Sequence, residues 1–277
     1  MVVAPYCLDF QIADADVRVI APRRVLAALD SMLAHVSRDW SGVSEPLQID
    51  VRSEAEVWQI SGTAPKSKKV LSQGSAMPQV AGAVIASMLA ELAFHRDLTV
   101  WRAAAVERDG QALAMMGDDW ESCITLVAHL HTRGWRIVGG DQLLVAKGAP
   151  VAIGLKKSLH ANSSCLNAFP QWYRPAVEAS PWYSTSHMIA FYAIDPTLVG
   201  PASPWCEGAP IRALLRIDGH ASEHPALEVG DEFTVADGVR RSDLVAAGVE
   251  VAMLVMGGFI ETTDFLERWF ETLPPAT

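Results

Sequence analysis

The chain has 277 residues and a mass of 29.9 kDa, half its residues are hydrophobic, and its formal net charge is −10. That length suits one large domain or two small ones, with ample material for a core. The acidity, with a pI near 5.2, argues against a nucleic-acid binder, because neutralising phosphates needs clustered Lys and Arg.

Residues 8–20 (LDFQIADADVRVI) alternate loosely and predict one or two strands. Pro22 then precedes a helical pattern, Val25–Val36, with Leu26, Leu29, Met32 and Leu33 at helical spacing. Leu47–Val51 and Val57–Ile60 read as a hairpin. Gly62–Gly74 reads as a polar loop around a short strand at Val70-Leu71, and its run Lys66-Ser67-Lys68-Lys69 as solvated. Pro78 leads into Gln79–His95, a helix apolar almost all round and so expected to be buried.

After residue 97 the pattern changes. Thr99–Glu107 and Gln111–Met116 predict strands joined by a turn at Asp109-Gly110. Gly117–Ser122 is a loop, Cys123–Thr132 a helix stopped by Gly134, and Arg136–Val138 a strand. Leu143–Ala146 and Val151–Leu155 follow as strands. Residues 170–210 hold seven of the 16 prolines and read as irregular surface structure. Ile211–Asp218 predicts a strand, Leu244–Val255 a helical or mixed segment, and Thr263–Leu273 a helix. The expected organisation is α/β, with an N-terminal α/β subdomain over 1–97 and a second region over 98–277.

Cys7, Cys123, Cys165 and Cys206 form no CxxC pair, so neither a zinc site nor a disulfide framework is expected, and a reducing cytoplasm is the simplest setting. No signal peptide is read at the N-terminus. The longest apolar stretch, Val80–Phe94, falls short of the ~20 residues a membrane helix needs and is interrupted by Glu91. A mean hydropathy of +0.18 suits a buried partner interface.

The chemistry centres on Trp101–Val145. Gly117 opens a loop, Thr125-Leu126 follows it, Arg133-Gly134-Trp135 ends the helix and Asp141 ends the strand; further on comes Gly154-Leu155-Lys156. This frame resembles the P-loop core of the HPr kinase/phosphorylase-like family, in particular the HPr-kinase-related proteins of bacterial peptide-modification clusters. The resemblance implies an HPr-kinase-like core with strand, loop GxxGxGK[ST], helix, and a strand ending in paired aspartates.

The motif's chemistry is absent from that frame. A phosphate loop needs glycines to curl its N–H groups inward, a Lys for the β/γ-phosphates and a hydroxyl for Mg²⁺. In the family's frame Trp120 and Ser122 replace glycines, Cys123 takes the lysine position and Ile124 the first hydroxyl position, with Thr125 one residue late. Asp118, Asp119 and Glu121 place carboxylates around a site for a polyanion; the Asp118 position is acidic in active relatives too. One added like charge ~6 Å from a phosphate costs roughly 3 kcal/mol at an effective dielectric of ~20. An exposed helix N-terminus offers only ~0.3–1 kcal/mol in return. Asp119 and Glu121 are candidates to cap the helix instead. The family's catalytic His aligns with Trp101, and its paired aspartates with Gly140-Asp141.

The vestigial loop is thus Gly117, Asp118, Asp119, Trp120, Glu121, Ser122, Cys123 and Thr125, with no cofactor or metal expected. Cys123 reads as a small residue at a helix start, a reactive thiolate being the alternative. His129 and His131 read as surface or capping residues, and His220 and His224 as parts of a polar loop. Lys156-Lys157 with His160 and Asn162 reads as a polar cluster at a solvated strand end. Trp172, Tyr173, Trp182, Tyr183 and Trp205 either line a peptide groove or pack beneath a long loop.

The implied function is that of a pseudokinase: a non-catalytic, HPr-kinase-like accessory or regulatory subunit that binds a protein or peptide. A homo-oligomer is compatible; nucleic acid and membrane are not expected. Two alternatives stand beside it. One is an atypical ATP- and Mg²⁺-dependent serine kinase with Asp141 as base or metal ligand and Lys156 supplying the missing charge. The other is a structural subunit of a larger assembly.

Overall fold

The computed structural model describes residues 6–38, 45–54, 57–180, 182–184, 190–200, 203–228, 233–236 and 239–275. The protein is α/β and divides into two compact units. One is Met1–Leu98 with Lys156–Ser158 and Pro181–Ala193; the other is Thr99–Leu155, Leu159–Ser180 and Ile194–Thr277.

The first unit is a one-sided sheet. Strands β1 (Tyr6–Ile12) and β2 (Ala15–Ala21) form a hairpin, α1 (Arg23–Met32) crosses over, and β3 (Leu47–Glu54), β4 (Val57–Ser61) and β5 (Lys69–Ser72) follow in sheet order β1-β2-β3-β4-β5. Helix α2 (Met77–His95) closes the unit. The β1–β2 turn places Ala13 and Asp14 at positive φ. Phe10, Val17, Val19, Ile49, Val51, Trp58 and Ile60 are buried, while Gln48, Arg52 and Gln59 alternate with them and stay exposed. Period-two alternation of this kind gives the sheet one apolar face, which α1 and α2 cover.

Helix α2 is longer than the sequence pattern suggested. Over its 19 residues the best 18-residue window has a mean hydropathy of 1.5, enough in length and composition to cross a membrane. Half of that window is buried within the protein. Its one acidic residue, Glu91, is buried and accepts hydrogen bonds from Ala64 N (2.7 Å) and Thr63 Oγ1 (2.8 Å). These are the traits of a core helix.

In the second unit the strands are β6 (Leu98–Trp101), β7 (Ala104–Arg108), β8 (Gln111–Gly117), β9 (Arg136–Gly139), β10 (Leu143–Ala146), β11 (Val151–Ile153) and β12 (Leu159–Asn162). Helix α3 (Trp120–His131) lies between β8 and β9, and α4 is Arg174–Ala179. Along the chain follow β13 (Trp182–Ser184), which falls in the first unit and pairs with β14 (Ala190–Ile194), most of it in the same unit, and then β15 (Gly208–Ala221) of the second. Strands β16 (Ala226–Glu228), β17 (Thr234–Ala236) and β18 (Val239–Arg240), helix α5 (Arg241–Ala246), β19 (Glu250–Met256) and helix α6 (Phe259–Thr272) complete the chain.

The long strand β15 organises the main sheet. Its first residues pair with β11; further along it runs parallel to β8 on one side and β19 on the other. Beyond β8 lie β7 and then β9. Because β7 is antiparallel to both β8 and β9, those two end at the same edge of the sheet. Helix α3 packs on β7, β8 and β9, with α6 against it. Glu267 anchors α6 by accepting from Arg108 Nη1 (2.9 Å), Arg133 Nη1 (2.8 Å) and Trp135 Nε1 (3.2 Å). Trp101, Val138, Leu143, Leu214, Leu244 and Val251 belong to a second core cluster.

Several segments differ from the expectation. The Thr99–Glu107 strand breaks at Arg102 and Ala103 into β6 and β7. The ambiguous Leu244–Val255 splits into the end of α5 and most of β19, with Gly248 at positive φ between them. Residues 170–210 are less superficial than their prolines implied. Tyr173 is fully buried and carries edge-on contacts to Phe169 and His131.

Candidate functional site

The site begins where β8 gives way to α3. The helix starts at Trp120, three residues earlier than the expected Cys123, so only Asp118 and Asp119 separate it from β8. The reason is local. Asp119 is the N-cap: one carboxylate oxygen accepts from Ser122 N at 3.3 Å and the other accepts from Ser122 Oγ. An N-cap carboxylate satisfies orphan N–H donors and complements the positive end of the helix dipole, the two functions a bound phosphate would perform.

Gly117 has a packing role. A Cβ there would lie 2.6 Å from the backbone oxygen of Ile217, so β8 and β15 approach too closely for any side chain. No residue from 117 to 122 has a positive φ. An anion nest alternates right- and left-handed residues so that successive N–H groups converge. This turn does not.

Cys123, at the family's lysine position, is buried, and burial pushes its thiol up to about 12, with the Asp119 carboxylate adding to the shift. A thiol so raised stays protonated and unreactive near neutrality. Arg102 is within electrostatic reach of it. Thr125 is fully buried beside Cys165, inside the core rather than at the loop. Burial and then Glu121 raise the Cys165 thiol to about 11. All four cysteines are free thiols.

Glu121 does not cap the helix. It reaches sideways to accept from Asn162 Nδ2 and, at 2.7 Å, from Ser164 Oγ. Asn162 Oδ1 in turn accepts from Ser164 N (3.0 Å) and Cys165 N (3.2 Å), so the carboxylate is stapled to the turn after β12. Alternation along β12 places His160 on the same side as Asn162. His160 Nδ1 lies 4.0 Å from Asp141 Oδ2. Strand β12 thus links the two halves of the site, Asp141 after β9 and Glu121 on α3.

The Lys156-Lys157-His160-Asn162 cluster is therefore not one solvated strand end. Asn162 and Lys157 are buried, and Lys156 and Lys157 fall in the segment that groups with the first unit. Gly140, where the family has an aspartate, would place a Cβ 2.9 Å from Leu159 Cδ2. Trp101, at the family's His position, is buried and donates its Nε1–H to Thr99 Oγ1 at 3.1 Å. Among the described residues no group of three His, Cys, Asp or Glu side chains is arranged to hold a metal ion.

His129 and His131 are not surface residues, because both faces of α3 are covered. His129 Nε2 meets Ala168 O at 2.8 Å and its ring stacks on Phe259; His131 Nδ1 meets the Tyr173 hydroxyl at 2.6 Å. Burial lowers the pKa of both. His224 pairs with Glu261 at 2.7 Å on the surface, and the side chain of His220 lies outside the described residues. Of the aromatic set, Tyr173 and Trp205 are buried, while Trp172 is 77% exposed and borders a cavity of about 470 Å³ with Trp135 and Arg136. The side chains of Trp182 and Tyr183 lie outside the described residues.

Replacing Asp119 with alanine is expected to cost about 1 kcal/mol of stability through loss of the cap, and replacing it with asparagine much less. Urea denaturation of the two variants beside the native protein checks this. Equal losses would show that the cap is not what Asp119 supplies.

No protein-family model matches the sequence, and neither does any curated protein. Among solved structures the chain is similar to the HPr(Ser) kinase/phosphatase from Coxiella burnetii, at 14% identity and a TM-score of 0.32, covering 62% of this chain and 97% of that one. Likeness at this level assigns no residue a role.

Proposed function

We propose that the chain is a non-catalytic protein on an HPr-kinase-like core, serving as an accessory or regulatory subunit that binds a protein or peptide in the cytoplasm. One observation carries the loss of nucleotide chemistry: Asp119 occupies the N-terminus of α3 where a phosphate would sit. The buried Cys123 at the lysine position and the added carboxylate of Glu121 support the same reading. A polyanion arriving there would displace a built-in cap and meet like charge. Under this reading the protein uses neither ATP nor Mg²⁺.

A second reading has one observation in its favour, the Asp141–His160 approach at 4.0 Å, a carboxylate–imidazole pair of the kind used in proton transfer. It would make the chain an atypical ATP-dependent serine kinase with Asp141 as base. Lys156, its proposed source of charge, lies in the segment grouped with the first unit. A structural subunit of a larger assembly is the third reading; a stable stoichiometric complex with no ligand response would mark it.

Calorimetric titration with ATP and Mg²⁺ separates the first two. The expected result is no saturable heat at nucleotide concentrations up to the order of 1 mM, equivalent to binding weaker than about −4 kcal/mol. A micromolar Kd would overturn the proposal and make phosphate transfer by Asp141→Asn the next assay.

A further inference from the structure

The first unit's sheet has two edges, and they differ. At the β1 edge, Gln11 N donates to Ser37 O at 2.8 Å, so the segment after α1 covers part of that strand. At the other edge, among the described residues, no strand pairs with the outer side of β5. In an antiparallel ladder alternate residues direct their N–H and C=O groups away from the partner strand, so the four residues of β5 turn the main-chain groups of two residues outward, Ser72 O also accepting from Ser75 N at 3.0 Å. Its residues are accessible: Lys69, Val70 and Ser72 are exposed, with Val70 at 70%.

Charge singles out this edge. Lys66, Lys68 and Lys69 are three of the chain's six lysines, set within seven residues of Ser72, in a protein of net charge −10. All three are exposed. Register pairs Gln59 with Val70 and Ile60 with Lys69, so Lys69 and Val70 project from opposite faces of the strand. A strand laid beside β5 would therefore meet a cation on one face and an apolar side chain on the other.

We propose that β5 is a docking edge for an extended acidic peptide, which adds as a further strand and places Asp or Glu side chains against Lys66, Lys68 and Lys69. Main-chain hydrogen bonds would supply affinity and the lysines would choose the partner. The same lysines disfavour a second copy of β5, because like charges would face each other across the new ladder. This site does not depend on the state of the α3 loop, and it stands or falls separately from the reading of that loop.

The test uses the full-length protein and three fluorescent octapeptides followed by anisotropy at low salt: alternating Glu-Val, alternating Lys-Val, and the Glu-Val peptide N-methylated at alternate amides. The Glu-Val peptide is expected to bind at least tenfold more tightly than the other two. The exposed triple variant Lys66→Glu, Lys68→Glu, Lys69→Glu is expected to lose that preference and gain one for Lys-Val, while circular dichroism confirms an unchanged fold. Three results would overturn the proposal: equal binding of the acidic and basic peptides, no effect of N-methylation, or no effect of charge reversal. Heparin or anionic vesicles competing while N-methylation does nothing would reduce the edge to a charged patch and would likewise overturn it.

Discussion

A lysine placed at position 123 is expected to destabilise the protein without conferring ATP binding. Cys123 is 4% exposed on the first turns of α3, so a lysine there would bring four methylenes and an ammonium group into a buried position. Overpacking alone costs about 1–3 kcal/mol. Holding a lysine at a buried site adds a further penalty, met by desolvating the charge or by neutralising it through a depressed pKa. Asp119 is near enough to raise the Cys123 thiol and would offset part of that cost. A net loss of about 3–5 kcal/mol is expected, roughly 10 °C in Tm for a chain of this size. The double variant Ser122→Gly, Cys123→Lys should fare no better with nucleotide, because Asp119 still caps the helix and residues 117–122 still lack the left-handed positions of a nest. Differential scanning calorimetry with and without ATP and Mg²⁺ checks both halves. A variant as stable as the native protein that is stabilised further by ATP would mean that the loop retains a phosphate geometry and that only the lysine was missing.

The sequence made one side of this site legible and left the other obscure, for a physical reason. That no glycine or lysine stands at Trp120, Ser122 and Cys123, and that carboxylates flank them, is a local fact readable in the sequence. What the carboxylates do instead is not local. Asp119 could be anticipated as a cap because its partner, Ser122, is three residues away, whereas Glu121 finds Asn162 and Ser164 more than forty residues on. Nothing in the periodicity of α3 carries that information; it arises only once β12 is placed. His160 and Asn162, two apart on a strand, showed which residues would share a side, but not that Asp141 would lie near one and Glu121 near the other.

The fold divides along the same line. Alternation in β2, β3 and β4 identified the buried face because one face of their sheet is polar. Leu244–Val255 carried two periods at once, since a short helix and a buried strand abut at a left-handed Gly248. His129 and His131 lie on the expected helix but are covered rather than at the surface. A helical residue is exposed only where its face meets solvent, and α3 has α6 on one side and the sheet on another.

Glu91 shows the same dependence on distant partners, and its removal is the second large effect expected. In the sequence it interrupts an apolar run; in the structure it is 1% exposed and closes the loop before β5. Its carboxylate accepts from Ala64 N and Thr63 Oγ1, is bonded by the Ser67 side chain, and lies 3.2 Å from His95 Nε2. Gly62 makes room for it, since a Cβ there would stand 2.0 Å from Glu91 Oε1. Burial on its own would raise this carboxyl, but the hydrogen bonds outweigh burial and hold it below its ordinary value. Glu91→Ala leaves Ala64 N without its acceptor and takes one partner from Thr63 Oγ1 and from Ser67, and is expected to cost about 3–5 kcal/mol; Glu91→Gln, which keeps an acceptor for Ala64 N, about 1–2 kcal/mol. The sign of the pH dependence follows from the lowered value. The stabilisation is fully present above the unfolded carboxyl pKa of ~4.3 and is lost as pH falls through the lower, folded pKa. Urea midpoints of the native protein should therefore drop more steeply below about pH 4 than those of Glu91→Gln, whose amide does not titrate. Parallel pH profiles for the two proteins would mean that Glu91 is already neutral in the folded state and that its charge adds nothing to the loop it closes.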